Sequence, residues 1–164
     1  MKNDETFKVT TPSEREIAMT RVFDAPRSLV FEGITKPDLV RQWLTGPPGW
    51  TMPICEMDLR VGGAYRFQWA GPGGKIMGVS GVFREVNPPA GFTASERFDD
   101  AWYPGEAQVS YALIEQDGTT ALTLTVCYET QEARDAALKA PMEKGVAMGF
   151  SRLEELLAVA AAPR

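Results

Sequence analysis

The chain has no histidine anywhere in its 164 residues. That absence excludes a Ser-His-Asp triad, a Cys-His dyad and every histidine-ligated zinc or haem centre. Cysteine is almost as scarce. Cys55 and Cys127 stand 72 positions apart, in no CxxC or other metal-ligand spacing. Each lies in an apolar, strand-like run, where a free thiol behaves as a small buried hydrophobe. No apolar segment opens the chain, since Met1 to Pro12 are polar, and no stretch reaches the ~18 apolar residues of a membrane helix. A cytoplasmic protein without membrane attachment is expected. Basic runs are missing too: 17 Lys and Arg against 22 Asp and Glu leave a net charge of −5, which argues against nucleic acid as a partner. Asp99-Asp100 and Glu154-Glu155 are too few, and expected to be too exposed, for a metal site. Gly71-Pro72-Gly73-Gly74 lacks the Gly-Lys-Ser/Thr ending of a phosphate loop and reads as a hairpin tip. Neither a metal nor a cofactor is expected.

What is present fits an ordinary globular domain. Hydrophobic residues make up 44% and charged residues 24%, enough to build one core without staples. Residues 1–14 read as a flexible leader and 15–162 as a single domain. From Arg15 to Asp24 the alternation of Ile17, Met19, Arg21 and Phe23 with Ala18, Thr20 and Val22 predicts a strand. Asp24-Ala25-Pro26 breaks it, with Pro26 fit for a helix first turn. Two short helices follow, one on Leu29, Val30, Phe31 and Ile34, the next beyond Lys36-Pro37 on Leu39, Val40, Trp43 and Leu44. Between Thr45 and Gly105, Gly and Pro account for 18 of 61 residues, too many for long helices. Strands are predicted at Pro53–Arg60, Ala64–Ala70, Ile76–Val86, Phe92–Phe98, Ala107–Glu115 and Ala121–Tyr128. The turn signals Gly62-Gly63, Gly71 to Gly74, Pro88-Pro89 and Asp117-Gly118 separate them into an antiparallel meander. Thr130 to Ala162 is rich in helix formers, and Pro141 kinks that stretch or starts a new helix. After it Met142, Val146, Gly149, Leu153, Leu156, Leu157 and Ala160 share one apolar face.

The residues resemble one family in particular. Asp24-Ala25-Pro26 with Val30-Phe31, the Trp43-Leu44 helix end, Asp58-Leu59-Arg60-Val61-Gly62-Gly63, Gly81-Val82-Phe83-Arg84-Glu85-Val86-Asn87-Pro88, and Met142-x-x-Gly145 followed by Leu153 occur in order. Together they resemble the bacterial homologues of the activator of heat shock protein 90 ATPase. That family belongs to the START-like, or SRPBCC, superfamily, similar in fold to the birch-pollen allergen Bet v 1. The resemblance implies an α+β helix-grip fold: a curved seven-stranded antiparallel sheet around a long C-terminal helix, with two short helices after the first strand and a cavity between sheet and helix. It fixes function less well, because the fold hosts transfer proteins, cyclases and co-chaperones alike. The chaperone-activating relatives carry a further N-terminal domain for which this chain is expected to have no room.

The residues themselves also point to a cavity. Tyr65, Phe67 and Trp69 alternate with Ala64, Arg66 and Gln68, so one face of that strand is aromatic. Met77, Val79 and Phe83 continue the pattern, as do Leu122, Leu124, Val126 and Tyr128. Such residues ordinarily form core. Gly78, Gly81, Gly145 and Gly149 remove volume opposite large side chains, and the two helix glycines need a reason, either close approach to the sheet or room for a ligand. Glu96 is the most unusual residue: it shares period-2 parity with Phe92, Ala94 and Phe98, so its carboxylate points to the apolar side. It reads either as a polar anchor or general base in a cavity, or as a bulge or an arginine pair at the sheet margin. Trp50 and Trp102, in Pro/Gly-rich loops, read as cavity lid or partner surface. The candidate ligand-binding set is therefore Trp43, Tyr65, Phe67, Trp69, Met77, Val79, Glu96, Phe98, Met142, Gly145, Val146 and Gly149, with Glu96 the candidate catalytic group. The leading expectation is a protein that binds a small apolar or aromatic molecule, compatible with a homodimer. The alternatives are a protein-interaction module and an enzyme working through a pocket carboxylate.

Overall fold

The computed structural model describes residues 6–101, 103–140 and 142–161. Its elements run β1 (Lys8–Thr10), β2 (Glu16–Phe23), α1 (Arg27–Thr35), α2 (Pro37–Trp43), β3 (Thr51–Met57), β4 (Ala64–Ala70), β5 (Ile76–Asn87), β6 (Gly91–Phe98), β7 (Ala107–Gln116), β8 (Thr119–Cys127), α3 (Gln131–Lys139) and α4 (Met142–Ala161). The strands form one antiparallel sheet in the order β1-β2-β8-β7-β6-β5-β4-β3. From β3 to β8 each strand pairs with its successor, as turn-separated apolar runs should. The connection that departs from this pattern runs from β2 to β3, and α1 and α2 make it, carrying the chain across the inner face.

The sheet has eight strands rather than seven. The extra one lies in the expected leader, where Lys8, Val9 and Thr10 pair with Thr20, Met19 and Ala18. Packing holds it there: Phe7 meets the Phe150 ring at 6.3 Å, and Thr6 Oγ1 accepts a hydrogen bond from Val22 N–H at 3.0 Å. The strand expected to run to Arg60 ends at Met57 instead. Asp58 to Gly63 form a turn in which the Asp58 carbonyl accepts from Arg60 N–H and the Arg60 carbonyl from Gly63 N–H. A Cβ on Gly63 would lie 2.0 Å from the Asp58 oxygen, which explains the glycine. Pro53 is tolerated because β3 is an edge strand.

Local chemistry sets the helix ends. Pro26 is the N-cap of α1 rather than its first helical residue, and Pro37 opens α2 at N1. Thr130 caps α3, its hydroxyl accepting from Ala133 N–H at 3.0 Å. Pro141, expected to break the tail helix, lies outside the described residues, but the tail is indeed two helices, with α3 ending at Lys139. α4 packs against α1, α2 and β2 through Phe150, Leu153 and Leu157, all nearly inaccessible. Phe150 fills the middle of this contact, with its ring 5.7 Å from Phe23 and 6.1 Å from Trp43. Ala160, placed on the apolar face by periodicity, is exposed, and Glu154, expected outside, is buried. Glu154 approaches the fully buried Arg21 at 4.0 Å and accepts from Asp24 N–H at 3.3 Å, joining α4 to β2. Among the described residues no helix is long and apolar enough to cross a membrane.

Candidate functional site

Strand alternation sends one row of side chains from each of β4 to β8 toward the helices. These rows do not close completely against α2 and α4, and a cavity of about 200 Å³ remains. Tyr65, Phe67 and Trp69 supply the β4 wall, Val79 and Phe83 the β5 wall. Ala94, Glu96 and Phe98 come from β6, Val109 and Tyr111 from β7, and Leu124 and Val126 from β8. The helices contribute Trp43 and Leu44 on one side and Met142 and Val146 on the other. Among the described residues the lining is apolar apart from a few phenols and one carboxylate.

That carboxylate is Glu96. On β7 Ala107 faces it, and on β5 Gly81 lies in the stretch between the Ser80–Arg97 and Phe83–Ala94 pairs. Gly81 opens no void there, because the place of its missing Cβ is taken by the Ser95 carbonyl and the Tyr65 ring. Tyr103 O–H donates to Glu96 Oε1 at 3.3 Å, and the Tyr103 ring is held edge-on against Tyr128 at 4.9 Å. Burial pushes the Glu96 carboxyl up to about 7, against the smaller opposing effect of the Tyr103 hydrogen bond. Tyr65, Tyr103, Tyr111 and Tyr128 are all raised, by burial first and then by the negative charge of Glu96. They therefore remain neutral around it at ordinary pH. The register shift between β5 and β6 falls between Phe83 and Glu85 rather than at Glu96. Nearby arginines are engaged elsewhere, Arg97 with Glu106 at 3.8 Å and Arg66 with Asp99 at 2.7 Å.

Most donors in the wall are already committed. Trp43 Nε1–H donates to the Gly33 carbonyl at 2.8 Å, Trp69 Nε1–H to the Leu44 carbonyl at 2.7 Å, and Tyr65 O–H to the Ser95 carbonyl at 2.8 Å. Gly81 makes the last bond feasible, because a Cβ there would lie 2.6 Å from the Tyr65 ring and 1.9 Å from the Ser95 oxygen. Among the described residues no group of three or more Cys, Asp or Glu side chains is assembled for a metal ion.

A family model described as Activator of Hsp90 ATPase homolog 1-like protein matches residues 24–158. The chain belongs to this family. Among solved structures, a protein from Rhodobacter sphaeroides is 30% identical, with a TM-score of 0.88 over 93% of this chain and 98% of its own. One from Nitrosomonas europaea is 24% identical, with a TM-score of 0.80 over 92% of this chain and 99% of its own, a likeness of fold alone. A search of the curated proteins returned no match.

In this Activator of Hsp90 ATPase homolog 1-like chain, nine of the twelve ligand-binding candidates line the cavity: Trp43, Tyr65, Phe67, Trp69, Val79, Glu96, Phe98, Met142 and Val146. Three do not. Met77 pairs with Trp69 and has the right parity, but it lies outside the lining and is 41% exposed. Gly145 is exposed on α4 with nothing near its missing Cβ. Gly149 is buried, but against Trp43, whose ring atoms lie 3.4 Å from an added Cβ, so it serves helix packing. Gly78 opens no pocket either: it lies beneath the Arg66–Asp99 pair, where a Cβ would meet Asp99 Oδ2 at 2.3 Å. Hydrogen bonding from Arg66 holds the Asp99 carboxyl below its ordinary value. Trp50 covers Gly71 at the β4–β5 hairpin and is not in the lining. Trp102 lies outside the described residues. Tyr103 was not legible in the sequence; it sits in a Pro/Gly loop with no periodicity to orient it. Tyr111 alternates in phase with Val109 and could have been found from that pattern.

Proposed function

We propose that the protein binds a small apolar or aromatic molecule in the space between sheet and α4, and that it does so in the cytoplasm. The observation that carries this reading is the apolar cavity of about 200 Å³ with a single carboxylate in its wall. Small-molecule sites are typically concave and apolar, with few polar groups to orient the ligand. A dry cavity of roughly 150 Å³ already holds benzene. Cytoplasmic residence is in keeping with two free cysteines, of which Cys55 is buried. Val146 reaches the cavity from α4, so Val146→Phe should fill it. Native mass spectrometry of freshly purified protein should detect a co-purified small molecule in the wild type and much less in this variant. Binding of an apolar fluorescent probe should fall about tenfold, equivalent to ~1.4 kcal/mol, with the melting temperature retained. Undiminished probe binding by a well-folded Val146→Phe protein sinks the reading.

A second reading has one observation in its favour. A carboxyl titrating at about 7 is matched to general acid–base work near neutral pH. On that reading Glu96 transfers a proton to or from the bound molecule, and Glu96→Gln should leave binding intact while removing turnover. Equal loss of both assigns Glu96 to binding.

A further inference from the structure

We infer that the cavity selects a small apolar amine, held by its ammonium group on Glu96, and that it rejects carboxylic acids. This rests on the ligand-binding reading above and narrows it to a chemical class. The first argument is the balance of charge in the wall. Among the described residues Glu96 is the one carboxylic acid in the lining, and no lysine or arginine accompanies it. The second argument is the balance of hydrogen bonding. The indole N–H groups of Trp43 and Trp69 and the hydroxyl of Tyr65 already donate to backbone carbonyls. A bound carboxylate would therefore meet a like charge and, beyond the phenols of Tyr111 and Tyr128, few donors, and its desolvation would be poorly compensated. A bound ammonium would meet an acceptor.

Space and size agree. Glu96 itself lines the cavity, so a head group bound there lies beside its carboxylate. The volume of about 200 Å³ exceeds the roughly 150 Å³ that accommodates benzene and falls below the ~300 Å³ at which drug-sized sites begin. One ring with a short aminoalkyl arm fits that interval. An ammonium ion also answers the cost of burying Glu96, because an opposite charge favours the ionised carboxylate. The titratable groups facing Glu96 are the phenols of Tyr65, Tyr103, Tyr111 and Tyr128, all held neutral by burial. Among the described residues α2 and α4 present no charged side chain to the cavity, only Val40, Trp43, Met142 and Val146.

The test is calorimetric titration of the full chain with benzylamine, toluene and benzoate, which share a ring and differ in head group. Benzylamine should bind at least tenfold more tightly than benzoate at pH 8. Since Glu96 must ionise to pair with the amine and titrates at about 7, benzylamine affinity should rise about tenfold from pH 6 to pH 8. Toluene affinity should stay within about threefold across that range. Glu96→Gln should abolish the pH dependence and cost benzylamine at least tenfold while sparing toluene. The wild-type pH profile needs no variant, so a poorly folded Glu96→Gln protein does not stall the test. Benzoate binding as tightly as benzylamine, or a flat benzylamine profile, overturns the inference while toluene binding keeps the cavity reading. Failure of the wild type to bind any of the three overturns both.

Discussion

At the scale of single residues, the tension in this protein sits at Glu96. Its carboxyl ordinarily titrates near 4.5, and burial raises it to about 7. The folded state thus holds the proton more tightly than the unfolded chain does. Folding stability is highest below the unfolded value, declines as pH rises from about 4.5 to about 7, and is flat above that. The displacement is worth at most about 3 kcal/mol. Glu96→Gln removes the titration, so the variant should match the wild type at pH 4 and exceed it by up to that amount at pH 8. Melting temperatures of both proteins across this range decide the matter: a wild type that gains on the variant with rising pH contradicts it. The acid was visible in the sequence because strand parity places it with Phe92, Ala94 and Phe98. Its hydrogen-bond partner was not, since Tyr103 reaches it from a loop whose path only the folded chain defines.

At the scale of elements, strands and turns were readable because each apolar run is bounded by Gly or Pro, and β4 matches its expected span of Ala64–Ala70 exactly in the structure. β1 leaves no mark in the sequence because Lys8-Val9-Thr10 is too short to show alternation; pairing with β2 and the Phe7–Phe150 contact create it. The α4 glycines mark a different limit. Helical spacing puts a residue on a face but does not say what that face meets, and the two glycines meet quite different things: solvent at Gly145 and an indole at Gly149. Gly145→Ala should therefore stabilise the protein by up to about 1 kcal/mol through helix propensity alone. Gly149→Leu should destabilise it by ~1–3 kcal/mol by overpacking against Trp43. Thermal melts of the two variants check both signs, and a loss of stability in Gly145→Ala would show a packed neighbour there.

At the scale of the whole molecule, the sheet and the helical layer meet around an internal charge pair. Arg21 of β2 is fully buried, its guanidinium carbon 4.7 Å from the centre of the Phe23 ring and its Nη1 4.0 Å from Glu154. The sequence hides this pairing: Arg21 sits within an alternating strand, and Glu154 beside Glu155 resembles an exposed acidic pair. Glu154→Leu should destabilise the protein, because it removes an acid that faces a buried cation. Arg21→Met combined with Glu154→Leu should recover most of that loss, since well-packed apolar residues replace a buried pair at little cost. Chemical denaturation of the single and double variants measures the coupling, and simple additivity of the two losses would show that the charges act independently.

The strand order also sets a timetable for synthesis. β2 pairs with β8, and the bonded hydroxyls of Thr20 and Thr123 lie 103 positions apart in the chain. A ribosome adding ~5–20 residues per second needs on the order of ten seconds to deliver the second partner after the first. Throughout that interval β2 has emerged with the strand it must join still unmade, and its apolar residues await a surface. The pairing demands the closure of a long loop before any contact rewards it, which slows folding relative to local structure. Truncated nascent chains ending before Thr119 lack the whole of β8, so they expose the strand edges of β2 and β7 that the finished protein covers.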